Sequence, residues 1–370
     1  MIDKNSLREG FAGLVAVDAP SFEEAAMAAY LKALFKGIGI DLKEDDSGRT
    51  TGATAGNLCG VAEGISGEEP LLLSAHMDTV EPSRGKQAVF HPDGRITGNG
   101  KTVLGADDAA GLLVIYEALR ILREKQIPHR PVELLFTTAE ERYGIGAKAF
   151  DYNKLCAKEA VVFDCDGPVG RAVLAAPSLI SFKAEIVGRA AHAGFAPETG
   201  INAVAAAAAA IAALKQGQLD DETTANIGRI SGGEGTNIVS ARCVVAGEMR
   251  SLSHQRVLEI AKTYKEAFET AARAAGARLL WQETLHIKAY ETPSDSPVVR
   301  AFGGAVKKAG ATPVFDKTFG GSDNNVFAEH GITGIVAACA MHNLHSVEEF
   351  SDLSELAKTV EILIHLLRRD

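Results

Sequence analysis

The stretch Leu71-Leu72-Leu73-Ser74-Ala75-His76-Met77-Asp78-Thr79 decides how the rest of the chain is read. Its opening residues are apolar without alternation, the habit of a strand buried on both faces inside a parallel sheet. Two further runs of this kind follow, at Val132–Thr137 and Val161–Phe163. A helical pattern from about Asp108 to Lys125 lies between the first two. Strand, helix, strand in this order predicts a mostly parallel central sheet with flanking helices, an α/β fold.

Working outward, two helical patterns precede the stretch, near Leu7–Val17 and Phe22–Lys36. Ser21 with Glu24 three residues later reads as a capping signal for the second. Beyond Phe163 the pattern changes. Ser181–Val187 alternates like a half-exposed strand, an Ala-rich helix covers the run from Ala203 to Leu214, and strands follow near Asn226–Ile230 and Arg242–Ser251. A long helix from His254 to about Ala275 and a strand Arg278–Ile287 complete a βαββαβ order, a split βαβ unit. The α/β pattern then resumes with a helix at Val298–Lys308, a strand at Ile332–Ala338 and a helix at Leu353–Leu367. The organisation expected is a catalytic domain in two parts, 1–177 and 290–370, interrupted by a smaller α+β domain at 178–289.

With 370 residues and 46% apolar side chains the chain falls in the globular range. A net charge of −10 argues against nucleic acid as a partner. No run reaches the roughly 18 apolar residues of a membrane span, and the N-terminus lacks the apolar core of a signal peptide. The five cysteines are scattered without a CxxC pair, as reduced thiols of a cytoplasmic protein would be. Gly98-Asn99-Gly100-Lys101-Thr102 lacks the spacing of a phosphate loop.

Five clusters carry candidate chemistry. His76 and Asp78, two apart on a strand, point the same way at its carboxyl end, where open α/β sheets bind ligands. A neutral imidazole suits zinc, and a nearby carboxylate can fix its tautomer; a hydrogen-bonded strand-end pair is the plainer reading. Asp107 and Asp108 in Gly105-Ala106-Asp107-Asp108-Ala109-Ala110-Gly111 stand where a loop becomes a helix, as helix caps do, or as a carboxylate bridging two cations does. Glu140 and Glu141 follow a buried strand, so one can hold a metal while the other takes a proton. Asp164 and Asp166 end the next strand, and His345 lies in Leu344-His345-Ser346-Val347-Glu348-Glu349-Phe350. Each cluster is ambiguous alone. Imidazole and carboxylate groups falling repeatedly at the ends of buried strands are the donor set of a hydrolytic dimetal site.

The order HxD, GADDxxG, EE, D, HxxxEF resembles the peptidase T branch of the cocatalytic zinc exopeptidases, with aminoacylase, succinyl-diaminopimelate desuccinylase and glutamate carboxypeptidase as similar relatives. Ala19-Pro20-Ser21-Phe22-Glu23-Glu24 and Gly188-Arg189-Ala190-Ala191-His192-Ala193-Gly194 extend the resemblance to nearly the whole chain. It implies that His76 and Asp164 hold one metal, that Glu141 and His345 hold the second, and that Asp107 bridges them. Asp78 would orient His76, and Glu140 would be the general base. Asp164 directly follows the apolar strand, while Asp166 fits the Asp-Gly dipeptide better and remains the alternative. His192 would stabilise the oxyanion, and Asn237, Arg250 and Gly321 would contact substrate. Two zinc ions, with cobalt or manganese as substitutes, are the implied cofactors. A small peptide is the implied substrate, and a homodimer through the inserted domain the implied assembly. A cis peptide between Asp107 and Asp108 is a further implication. A deacylase or carboxypeptidase of the same superfamily is the alternative activity. A non-catalytic binding protein on this fold is the distant one, and a retained Glu140 speaks against it.

Overall fold

Four parallel strands, Val132–Thr137, Leu71–His76, Glu159–Asp166 and Thr333–His342, lie side by side in that order. Leu71–His76 and Val132–Thr137 are buried at every position, because successive side chains enter opposite faces and both faces are covered. Leu71 and Leu73 join a large core on one side, while Leu72 and Leu135 join a second on the other. The computed structural model describes residues 2–369. Its chain divides into two compact units, residues up to 175 together with those from 291 onward, and residues 176–290. The parallel strands belong to the first unit. Antiparallel strands border them, Leu58–Ala62 beside Val132–Thr137 and Phe350–Asp352 beside Thr333–His342.

The helix Ala106–Glu124 fills the larger core and packs against Lys4–Val15 and Leu353–Leu367. Every residue from Ala106 to Ile115 is buried, so the first half of this helix is enclosed on all sides and is shaped by packing rather than by an amphipathic stripe. Gly111 allows its approach to the sheet. A Cβ there would stand 2.4 Å from the Phe163 carbonyl oxygen and 2.3 Å from Asp108 Oδ1. On the other face, Val326 and Phe327 of the short helix Asp323–Glu329 pack with Phe150 and Leu135.

The second unit is an antiparallel sheet in the order Gly217–Asp220, Thr223–Gly232, Arg242–Ser251, Ser178–Val187, Arg278–Ile287. Helices Ala203–Ala212 and His254–Ala274 cover one face, with Phe182, Tyr264 and Phe268 in the shared core. The edge strand Gly217–Asp220 adds a member to the six-element order read from the sequence. Its residues Gly-Gln-Leu-Asp carry a single apolar side chain, Leu219, which packs on the core, and backbone pairing with Thr223–Ala225 makes it a strand.

Two local readings need correction. The second helix begins at Ala25, and its N-cap Glu24 makes no side-chain capping bond. Ser21 Oγ instead donates to Asp78 Oδ2 at 2.8 Å, and Glu24 Oε1 accepts from Phe22 N and Ala139 N; tertiary partners have taken the groups that a capping box would use. The strand expected at Val161–Phe163 runs from Glu159 to Asp166: both neighbours pair with it from Glu159, and Thr333–His342 carries it on to Asp166.

Phe136 is fully buried, with its ring centroid 5.2 Å from that of Phe35. Phe136→Ala should destabilise the unit holding the parallel sheet by about 3–5 kcal/mol. Chemical denaturation followed by far-UV circular dichroism measures this, and a loss below about 1 kcal/mol would contradict the packing described.

Candidate metal centre

Each of the four parallel strands leads into the centre at its carboxyl end. His76 is the last residue of Leu71–His76. Glu140 and Glu141 form a single 3-10 turn three residues after Val132–Thr137. Asp164 lies near the end of Glu159–Asp166, and His345 follows Thr333–His342. Asp107 arrives from the crossover, at the start of Ala106–Glu124. There Asp107 and Asp108 depart from helical geometry and the peptide between them is cis.

These side chains meet around Asp107. Asp107 Oδ1 lies 2.9 Å from His76 Nε2, and Oδ2 lies 3.1 Å from His345 Nε2. Glu141 Oε1 stands 3.0 Å from the same His345 nitrogen, and Asp164 Oδ1 stands 3.9 Å from His76 Nε2. Two overlapping sets, His76 with Asp107 and Glu141, and His76 with Glu140 and Asp164, have their donor atoms within 4.8 Å of one another. Asp166 is not among them; it is largely exposed and pairs with Arg171 at 2.8 Å. Gly321 is exposed, two residues before Asp323, whose Oδ2 accepts from Thr137 Oγ1 at 2.5 Å. His192, Asn237 and Arg250 belong to the second unit. Arg250 Nε there donates to Glu248 Oε1 at 2.8 Å.

Around these groups stand buried carboxylates that grip backbone amides. Asp78 Oδ1 accepts from Glu140 N at 2.9 Å and Oδ2 from Glu141 N at 3.3 Å. His76 Nδ1 lies nearer the Asp78 carbonyl oxygen, at 2.9 Å, than its carboxylate, at 3.4 Å. Asp78 therefore holds the turn that carries both glutamates as well as the imidazole. Asp108 Oδ2 accepts from His76 N at 3.0 Å and its Oδ1 from Gly111 N at 3.0 Å. Glu24 accepts from Ala139 N at 3.0 Å. Glu349 accepts from Gly105 N at 2.7 Å and Asp107 N at 3.0 Å. The amide-gripping roles of Glu24, Asp108, Glu349 and Asp78 escape a reading of motifs. For Asp108 the signal is an acid inside the glycine- and alanine-rich run 105–111, where a solvated carboxylate has no place; Glu24, Asp78 and Glu349 lie within the quoted motifs, which do not say that they grip amides.

The electrostatics follow from crowding. Burial holds the carboxyls of Glu140 and Asp164 well above their usual range, with Asp164 adding to the first and Asp107 to the second. Burial and Asp107 also raise Glu141. Burial resists charge on Asp107 too, but hydrogen bonds from His345 and His76 outweigh it and lower its pKa. The same contacts push His345 up to about 10, through Asp107 first and Glu141 second. Burial opposes charge on His76, yet hydrogen bonds to Asp107 and Asp78 raise it well above the ordinary imidazole value. So many acidic groups share so little space that protons stand in for missing positive charge. Divalent cations supply that charge and reverse the logic. Imidazole nitrogen and carboxylate oxygen are the donors that zinc takes, so the residues fit a pair of such ions.

The model of peptidase family M20/M25/M40 matches residues 72–369. The chain belongs to that family. It is 37% identical to the uncharacterized protein YqjE of Bacillus subtilis over 367 residues, 99% of each chain. The crystal structure of aminopeptidase PepT from Bacillus cereus is similar at a TM-score of 0.93 and 39% identity, covering 99% of this chain and 98% of that one. A tripeptidase structure from Staphylococcus aureus is similar at a TM-score of 0.96 and 31% identity, with the same coverage. The protein is thus a metallopeptidase of the M20/M25/M40 family with a mixed α/β fold.

Loading such a centre requires deprotonated ligands. Contact with Asp107 and Glu141 favours a proton on His345, and burial favours protons on Glu141 and Asp164; a cation that took such a group as ligand would displace its proton. Below about 10, the value for His345, zinc uptake by this M20 peptidase should release protons, and apparent affinity should climb with pH. Calorimetry in buffers of different ionisation enthalpy tests this. An affinity independent of pH would contradict it.

Proposed function

We propose that this M20/M25/M40 peptidase is an aminopeptidase that removes residues from short, unblocked peptides, tripeptides foremost, using two zinc ions. The observation that carries the reading is the division of one buried carboxylate between two imidazoles. Asp107 offers Oδ1 on the side of His76 and Oδ2 on the side of His345, as a ligand shared by two cations must. His76 and Asp164 would hold one ion and Glu141 and His345 the other, with cobalt or manganese able to replace zinc. The likeness to an aminopeptidase and a tripeptidase over nearly the whole chain favours short peptides over other amides.

Bound cations would supply Lewis acidity and bring the pKa of water down toward about 7. Glu140 acts as the general base. Its backbone is gripped by Asp78, which aims the carboxylate. Once its burial is offset by positive charge, it accepts a proton from the attacking water and passes it to the leaving amine. His192 donates to the developing oxyanion. Its Nδ1 accepts from Gly194 N at 3.1 Å, which leaves the proton on Nε2, and its ring stacks on Phe195 with centroids 4.1 Å apart. Asn237, Arg250 and Gly321 contact the polar ends of the substrate. The reading also takes residues 178–289 as a lid and homodimer module. It places the protein in the cytoplasm, where its five free thiols stay reduced. Among the described residues no helix is long and apolar enough to cross a membrane.

The test is a panel of tripeptides with free and N-acetylated amines, assayed with zinc and after chelation. Cleavage of the free forms alone, abolished by chelator and restored by zinc, is the expected result. Preference for the acetylated forms would favour a deacylase. Glu140→Ala should still bind two zinc ions but lose roughly 10²–10⁴-fold in kcat. Near-normal turnover in that variant would remove Glu140 from the role of base.

A further inference from the structure

Glu349 lies four residues after His345 and is 1% exposed. A carboxylate so deep in the protein is costly unless every lone pair it presents is used. Its two oxygens are divided between two amides of one turn: Oε2 accepts from Gly105 N at 2.7 Å and Oε1 from Asp107 N at 3.0 Å. That turn delivers Asp107 to the centre. The segment that carries Glu349 is itself closed by local bonds. Glu349 N donates to Ser346 O at 3.1 Å, Ser346 Oγ to Asn343 O at 2.8 Å and Glu348 N to Ser346 Oγ at 3.2 Å. His345 rides on this closed loop with its backbone in the left-handed region, φ 59°.

From this arrangement we infer that Glu349 is a positioning residue that sets the separation of Asp107 and His345, and so tunes the second of the two metal sites. The inference rests on the ligand assignment proposed above. The loop bearing His345 and the turn bearing Asp107 are more than 200 residues apart in sequence. They meet at the Asp107–His345 contact, 3.1 Å, and at the Glu349 clamp. Removing the clamp leaves the ligands to find their spacing without a backbone reference. Glutamine cannot substitute. An amide presents one acceptor oxygen and one NH2, and each of the two positions faces an N–H donor. One of them would therefore be met donor to donor.

The experiment uses the full chain stripped of metal by a chelator. Zinc binding is measured by competition with a chromophoric chelator, and cobalt(II) absorption reads the geometry of the ligands. Wild type should take up two ions. Glu349→Gln should keep the first with its affinity little changed, bind the second about 10–100-fold more weakly, and show an altered cobalt spectrum. Glu348→Gln, an exposed neighbour on the same loop, should match wild type in every readout. A Glu349→Gln variant with wild-type affinities and spectrum would overturn the inference. If that variant does not fold, Glu349→Asp decides: it keeps both acceptor oxygens with one methylene fewer, and its second-ion affinity should fall below wild type. Wild-type affinity in Glu349→Asp would then overturn the inference. Failure of wild type to bind two ions would overturn the ligand assignment itself.

Discussion

Carboxylates that repel one another are held within a few ångströms in the interior of this protein, and much of the architecture exists to keep them there. Asp107 is the pivot. It alone among them is driven toward the ionised state, because imidazoles on both sides hydrogen bond to it. Its neighbours Glu140, Asp164 and Glu141 are driven the other way by burial and by each other. A cluster with that balance is destabilising as a bare apolar interior and is relieved by cations, which links family membership to a physical cause. The chemistry and the stability of the centre are one electrostatic problem.

The fold solves the problem by backbone placement. Neighbouring parallel strands end on one edge of the sheet, so residues from four distant segments arrive together without long loops. The turns just past those ends carry non-glycine residues at positive φ, Ala139 at 47°, Tyr143 at 66° and His345 at 59°. Such conformations are sparsely populated and persist only where surroundings enforce them. The enforcing groups are visible here, since Asp78 and Glu24 hold the amides of residues 139–141, and the 343–349 loop closes on itself. Buried carboxylates thus perform two distinct tasks: some face the centre, and others grip the N–H groups of the turns that supply it. In the second kind, backbone donors offset part of the cost of burial, although Glu24 Oε2 stays without a hydrogen-bond partner.

The histidine proposed for the oxyanion, His192, is held by different means. Among the described residues no buried carboxylate hydrogen bonds to its ring. Its tautomer follows from one backbone amide, and its ring orientation from Phe195, which is 86% exposed. A histidine held so lightly is suited to donate a hydrogen bond rather than to hold a cation, whose imidazole ligands are normally braced by an acceptor.

The sequence by itself determined the class of fold and narrowed the candidates for the centre to a few histidines and acids. Short apolar runs without alternation, such as Leu71-Leu72-Leu73, read as doubly covered strands in an alternating strand-helix order, and a histidine or acid just beyond such a strand falls at the sheet edge. The strand Val132–Thr137 and the helix Leu353–Leu367 were legible to the residue for the same reason. Tertiary structure decided the rest. Asp164 and Asp166 are two apart and point alike in an ideal strand, yet Asp164 turns to the centre and Asp166 to Arg171, a difference set by an irregular register against Thr333–His342. Ser21 and Glu24 spell a helix cap, but their partners, Asp78 and Ala139, lie more than 50 residues away. Glu349 reads only as the acid of the HxxxEF spacing, and that its carboxylate grips the Gly105 and Asp107 amides becomes visible only in the folded chain. Local pattern records where apolar side chains must go. Which buried carboxylate meets a cation and which meets an amide depends on chain segments that come together only in the folded protein.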